Sequence, residues 1–94
     1  MRIIAKRVLI QKAQLYGDCI PQTERWYRAA SMASWRNLAE VRAVYPHADV
    51  VGDRTIFNLK GNDYRLVVYI NCEAQIIYIK DLLTHAAYDR GGWQ

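Results

Sequence analysis

The hydrophobic pattern of the chain changes from helical to alternating at Pro46. Upstream, apolar residues recur every three or four positions, which is typical of one face of an amphipathic helix. After Pro46, short β-branched and aromatic runs alternate with polar turns, which is typical of β-strands. The pattern predicts helices over 5–16, from Pro21 to an uncertain end within 31–35, and over 38–44.

The second half predicts an antiparallel meander, preceded at the N-terminus by a brief strand over 2–4. Three strands are expected over 54–59, 64–71 and 76–83, joined by loops at 60–63 and 72–75. Strands this close in sequence pair antiparallel, because a parallel crossover needs a much longer connection. Thr84 is placed to cap a short final helix that begins at His85, as Asn37 is for the third helix.

Two four-residue loops set the register of the meander. Leu59 then faces Tyr64, and Val67 faces Lys80. Because successive side chains point to opposite faces, one face collects a core set: Thr55, Phe57, Leu59, Tyr64, Leu66, Val68, Ile70, Ile77 and Ile79. The other face collects a mixed set with two cations: Asn58, Arg65, Val67, Tyr69, Tyr78 and Lys80. We therefore expect one α+β domain over 1–94, with N-terminal helices packed on one face of a twisted, mainly antiparallel sheet.

Composition and charge restrict the function only loosely. The chain has 94 residues, of which 52% are hydrophobic, and a formal net charge of +4. That charge is compatible with a polyanionic ligand such as RNA but does not require one. Cys19 and Cys72 have no metal-ligand spacing and are expected to be reduced thiols. No signal peptide or membrane span is visible, so a cytoplasmic location is expected, with no metal and no other cofactor.

The polar face has the residue types that RNA cleavage requires. Attack by a 2′-hydroxyl needs a base, cations that stabilise the phosphorane, and an acid for the leaving oxygen. His85 is the best proton carrier, because an unperturbed imidazole can both accept and donate a proton near neutral pH, and Tyr88 lies on the same helical face. Arg65 offers a planar fork for phosphate and Lys80 a point charge. These four residues are the candidate catalytic group, and we expect them to converge at one end of the polar face.

Ordinary structural roles compete with each of these assignments. A histidine that follows a threonine is most often a solvated first-turn residue. Arg65, opposite Asn58, would also serve simply to make an exposed sheet face polar. Gly61 fits a hairpin turn, although its openness would equally let RNA approach. His47, in a loop after Pro46, is expected to be an ordinary surface residue.

Several segments of the chain match the motifs of one protein family. Residues 57–66 look like the motif F-N-x-K-G-N-x-Y-R-L, residues 79–80 like an I-R pair, and residues 84–89 like T-H-x-E-Y-D. Trp35 followed by residues 41–46 is similar to the segment W-x-x-x-x-x-V-K-x-x-Y-P. By these motifs nearly the whole chain resembles the HigB family of bacterial toxins in the RelE superfamily, and the resemblance is weakest over 8–25.

The resemblance implies a RelE-like fold and a toxin of a type II toxin–antitoxin system. Such a toxin is an endoribonuclease that needs no metal and cleaves mRNA in the A site of the 70S ribosome. It is neutralised by a HigA-type antitoxin with a helix-turn-helix domain, and it contacts operator DNA only through that antitoxin. Matching positions imply one RNA-handling surface, made of Asn58, Lys60, Asn62, Arg65, Tyr78, Lys80, His85 and Tyr88.

The chain departs from the family pattern at several positions. Lys80 stands where an arginine is usual, Ala87 replaces the glutamate of the T-H-x-E-Y-D motif, and no glycine precedes Thr84. Two other functions stay open on the same fold, because a fold does not fix an activity. One is a non-catalytic protein that binds RNA or an antitoxin, and the other is a relative that targets gyrase.

Overall fold

The computed structural model describes residues 1–93, which form a five-stranded sheet and four helices. In chain order the elements are β1 (Arg2–Ile4), α1 (Lys6–Tyr16), α2 (Ile20–Met32), α3 (Leu38–Val44), β2 (Asp49–Val51), β3 (Arg54–Leu59), β4 (Tyr64–Asn71), β5 (Ile76–Thr84) and α4 (His85–Arg90). The predicted elements are all present. The helix from Pro21 ends at Met32, and β5 extends one residue further than expected.

The sheet has the strand order β1-β5-β4-β3-β2. Strands β3 to β5 are antiparallel neighbours, as predicted. Strand β2 adds a further antiparallel partner to β3, whereas β1 pairs parallel with β5. Helices α1 and α2 contact each other, and they contact β5 and β1 respectively. The α+β architecture predicted from the sequence is therefore confirmed.

The core lies between the helices and one sheet face, and Phe57 is at its centre. This ring is fully buried, and three aromatic rings have centroids within 6.1 Å of its own. They belong to Trp26, Trp35 and Tyr45. Edge-to-face and offset contacts of this kind stabilise a core beyond the burial of area alone. The core therefore fixes the strands that carry the polar face behind it.

The predicted register is right for most of the meander and wrong at Lys80. Leu59 pairs with Tyr64, and Val68 with Ile79, but Val67 lies opposite Asp81 because of a β-bulge. Without the bulge, alternation would turn Asp81 toward the apolar core and Leu82 away from it. Leu82 is in fact fully buried, so the extra residue keeps an apolar side chain in the core.

The second sheet face is less exposed than its polar residues predict. Ile56, Arg65 and Val67 on this face are all buried. Helix α4 contacts both β4 and β5, and its Tyr88 ring lies against the Arg65 guanidinium. This short helix therefore covers part of the face that we expected to be open.

The predicted caps form, and each fixes a helix start. The Asn37 side chain accepts a hydrogen bond from the Glu40 amide at 3.0 Å, and Thr84 accepts one from the Ala87 amide at 3.1 Å. Such caps satisfy amides that have no partner within the helix. None of the helices within residues 1–93 has the length and apolar composition needed to cross a bilayer.

Candidate active site

The hairpin loop 60–63 and the start of α4 meet at one end of the sheet. Tyr64 pairs with both Leu59 and Thr84, which places the two connections side by side. The His85 amide donates a hydrogen bond to the Asp63 carbonyl at 2.9 Å. A backbone contact between two segments distant in sequence holds the histidine at a defined place on this edge.

His85 forms a pair with Asp89 one helical turn later. Its Nδ1 is 3.0 Å from the Asp89 carboxylate, and about two fifths of the His85 side chain is exposed. With a proton on Nδ1, the ring donates to the carboxylate and leaves Nε2 as a proton acceptor. A carboxylate that orients a histidine in this way supports general acid–base catalysis. The histidine is thus both accessible and oriented.

Arg65 uses its guanidinium to hold loop 60–63. It donates hydrogen bonds to the carbonyls of Asn62 and Tyr64 at 3.0 and 3.2 Å, and to the Asn62 side chain at 2.8 Å. The residue is only 8% exposed. A buried side chain with three donated hydrogen bonds is suited to shaping the loop. From the sequence we expected instead an exposed guanidinium that binds phosphate.

The Tyr88 ring contacts both Arg65 and Trp93. Its centroid lies 5.6 Å from the Arg65 guanidinium carbon and 4.8 Å from the stacked Trp93 indole. The indole Nε1 also donates a hydrogen bond to the Tyr88 carbonyl at 3.0 Å. The sequence pattern offered no signal for a structural role of Trp93, so its contribution was missed.

Lys80 lies in the β-bulge, beside Tyr78. Its Nζ is 5.7 Å from the Tyr78 ring centroid, and that ring packs against Tyr69 at 5.9 Å. Arg65 and Tyr69 are four residues apart on β4, or about 13 Å at the usual rise per residue. The polar face therefore has two groups, one around Arg65 and α4 and one around Tyr78, with the bulge between them.

Lys60 is held on the helix side of the sheet. Its Nζ pairs with the Asp18 carboxylate at 2.7 Å, and the buried Tyr64 hydroxyl donates a hydrogen bond to the same carboxylate. The Lys60 and Tyr64 bonds lower the pKa of Asp18. In return, the hydrogen bond to Asp18 raises the pKa of Tyr64 to about 12. Nothing in the local sequence indicated this contact, because Asp18 and Lys60 are 42 residues apart.

These pKa shifts predict a stability that depends on pH at both extremes. Asp18 has a lowered pKa in the folded state, so its contribution is present at neutral pH and disappears as pH falls below about 4. Tyr64 has a raised pKa, so its contribution is lost as pH rises from about 10 to 12. Asp18→Asn should therefore be less stable than the wild type at pH 7, and this difference should become smaller as the pH falls to 2.

Urea unfolding of both proteins at several pH values, followed by circular dichroism, measures this difference. Tyr64→Phe is the matched control, because it keeps the ring and removes the hydroxyl that donates to Asp18. A stability difference between Asp18→Asn and the wild type that stays constant from pH 2 to 7 would show that the carboxylate charge contributes nothing.

The structure brings together part of the predicted site. Arg65, Tyr88, His85 and Asn62 lie around loop 60–63 and α4, and Asn58 lies opposite Arg65 on β3. Other predicted residues lie elsewhere: Lys80 and Tyr78 along the face, and Lys60 on the helix side. Within residues 1–93, no three histidine, cysteine, aspartate or glutamate side chains are grouped as metal ligands.

Comparison with known proteins identifies relatives along nearly the full chain. A family model described as a RelE-like toxic component of a toxin–antitoxin system, HigB toxin, matches residues 21–91. The chain is 25% identical to the mRNA interferase toxin HigB of Escherichia coli K12 over 92 residues, which cover 95% of this chain and 88% of the relative. It is 26% identical over 93 residues to the mRNA interferase HigB of Escherichia coli O6:H1, with coverage of 96% and 90%.

Proposed function

Since the chain belongs to the HigB family of RelE-like toxins, we propose that it is a toxin with endoribonuclease activity that cleaves mRNA and so blocks translation. The observation that carries this proposal is the group at one end of the sheet. An oriented, accessible His85 lies one helical turn from Tyr88, whose ring contacts the buried Arg65. Relatives similar over nearly the full chain bear the name mRNA interferase.

In the proposed reaction the RNA supplies its own nucleophile. The 2′-oxygen attacks the neighbouring phosphorus, and the bond from phosphorus to the 5′-oxygen breaks, leaving a 2′,3′-cyclic phosphate and a 5′-hydroxyl. One site residue accepts the 2′-hydroxyl proton and another protonates the 5′-oxygen. His85 and Tyr88 are the catalytic residues for these transfers, because they can present Nε2 and a phenol to the RNA.

Cations then stabilise the phosphorane as negative charge develops. Lys80 carries an exposed ammonium on the bulge and provides a charge without a fixed fork. Arg65 acts as a positioning residue, since its hydrogen bonds shape loop 60–63 while its charge lies against the Tyr88 ring. Asn58 and Asn62 contact the RNA at this centre, Tyr78 contacts it farther along the face, and Lys60 adds positive charge at the start of loop 60–63.

We also propose where the toxin acts and what neutralises it. The substrate is mRNA in the A site of the 70S ribosome in the cytoplasm, and no metal ion takes part. A HigA-type antitoxin with a helix-turn-helix domain neutralises the toxin, and the toxin reaches operator DNA only through it. The family description as the toxic component of a toxin–antitoxin system supports the antitoxin partner.

Purified protein tests these assignments with one mRNA, either free or bound to purified 70S ribosomes. We expect cleavage within the A-site codon on ribosomes and at least 100-fold slower cleavage of the free mRNA, because positioning of the RNA supplies much of such a rate. A phosphorothioate at the cleaved position should not make the reaction respond to thiophilic metal ions. Equal cleavage of free and ribosome-bound mRNA would contradict the dependence on the ribosome. Rescue by Mn²⁺ or Cd²⁺ would contradict a reaction without metal ions.

One observation favours a non-catalytic alternative on the same fold. Arg65 is buried and its hydrogen bonds are made within the protein, as in a residue with a purely structural role. A binding protein of this kind would retain salt-dependent RNA affinity in His85→Ala and would cleave in neither form. The ribosome assay separates the two functions, because only the proposed toxin yields cut mRNA.

A further inference from the structure

The chain folds back onto α4 after Arg90. Gly91 and Gly92 have positive φ angles of 78° and 84°, a region that glycine adopts without steric cost. The Gly91 amide and the Trp93 indole both donate hydrogen bonds to the Tyr88 carbonyl, at 3.1 and 3.0 Å. The glycine pair therefore reverses the chain and fixes the indole against the tyrosine.

Trp93 differs in its surroundings from the two other tryptophans. Trp26 and Trp35 are at most 4% exposed and belong to the core. Trp93 is only partly buried, and it stacks on Tyr88, which is three residues after His85 in α4. Its rings are nearly parallel to the Tyr88 ring, with an interplanar angle of 19°. We use the term aromatic platform for Tyr88 and Trp93 together.

The platform changes where RNA bases can stack. Trp93 stacks on the Tyr88 ring and stays partly exposed, so the indole offers an RNA base a second aromatic surface beside the tyrosine. An indole anchored by a hydrogen bond loses little conformational freedom when a second ring stacks on it. Single-stranded nucleic acids bind to such aromatic surfaces because every base has a π-face.

We propose that Trp93 is an RNA-binding residue that stacks on an unpaired nucleobase beside the cleaved phosphate. The ligand class is single-stranded RNA, which rests on the proposed function. Stacking would hold the nucleotide next to His85 and Tyr88, while Arg65 places positive charge against the Tyr88 ring. Stacking does not read the hydrogen-bond pattern of a base. The contact should therefore raise the affinity for RNA without selecting a particular base.

Loss of the indole should lower kcat/KM for mRNA on ribosomes by roughly 5- to 150-fold, the range expected for one base–aromatic stack. Trp93→Phe should recover most of the loss, whereas Trp93→Leu should not, since it keeps apolar bulk without an aromatic ring. An mRNA with an abasic nucleotide at each position of the A-site codon in turn completes a double-mutant cycle. At the stacked position, the abasic change and Trp93→Ala should together cost no more than either alone.

Two results would overturn the proposal. Fully additive losses at all codon positions would mean that Trp93 touches no base. A Trp93→Ala variant that keeps KM but changes the pH profile of kcat would mean that the indole acts only by positioning Tyr88. Urea unfolding of each variant checks that the fold is retained, and Trp93→Leu replaces the alanine variant in the test if Trp93→Ala unfolds.

A binding measurement tests the stacking of Trp93 on RNA independently of cleavage. It remains decisive even if the wild type cleaves no RNA, a result that would contradict the proposed function itself. Trp93 fluorescence is titrated with a single-stranded 2′-O-methyl RNA, which cannot be cut because it lacks the attacking hydroxyl. Buried Trp26 and Trp35 should respond little. Quenching by this RNA and not by its abasic counterpart supports the stacking role, and equal quenching or none contradicts it.

Discussion

Replacing His85 with alanine is expected to lower the rate of mRNA cleavage by about 10²- to 10⁴-fold, the usual contribution of a general acid or base. The ring is accessible, and Asp89 orients it at 3.0 Å. The fold should persist, because His85 is outside the core and the cap from Thr84 uses the Ala87 amide. Single-turnover cleavage on programmed ribosomes measures the effect without interference from product release.

The chain provides a matched control for this substitution in its second histidine. His47 is exposed in the loop after α3, and His47→Ala should cleave mRNA at the wild-type rate. Asp89→Asn keeps a side-chain oxygen beside Nδ1 and should lose less activity than His85→Ala. A His85→Ala variant that cleaves within threefold of the wild type would remove the histidine from the chemistry.

The largest expected effect on stability is at Phe57. Phe57→Ala should lower the free energy of unfolding by about 3–5 kcal/mol, as for other large-to-small changes at buried aromatic residues. The substitution would leave a cavity among the three aromatic rings packed on Phe57. The free energy of unfolding should therefore fall by more than the loss of a single contact would cause. A domain of this size is stable by only about 5–15 kcal/mol, so the variant should be close to unfolding.

Urea unfolding followed by circular dichroism tests this expectation. Phe57→Leu is the control, because it fills part of the space with an apolar side chain and should cost less than alanine. Val50→Ala tests an apolar position that is 45% exposed on β2 and should change stability little. A loss below about 1 kcal/mol for Phe57→Ala would contradict the central place of this ring.

Periodicity predicted most of the fold because it records burial directly. The loops at 60–63 and 72–75 fixed the register of β3, β4 and the first part of β5. The bulge at Lys80 could not be predicted, since neither Lys80 nor Asp81 has the backbone preference that marks a bulge in sequence. The bulge allows Leu82 to lie in the core. That burial depends on the helices packed on the core face of the sheet, which are distant in sequence.

The site was only partly predictable, for a related reason. Residues close in sequence, such as His85 and Tyr88, could be placed together from helical spacing alone. The partners that orient or cover them come from farther away or from irregular backbone. Asp18 reaches Lys60 across 42 residues, and Trp93 reaches Tyr88 through two glycines with positive φ. The sequence therefore identified residues with suitable chemistry. It did not show which cationic side chains are already held by other groups of the protein.

The most direct test of the central claim is to map mRNA 5′ ends in cells after induced expression of the wild type and of His85→Ala at equal protein levels. The wild type should arrest growth and create new 5′ ends inside translated regions, and His85→Ala should create none. Soluble wild-type protein that yields no new ends, or a His85→Ala variant that yields the same ends as the wild type, would contradict the account.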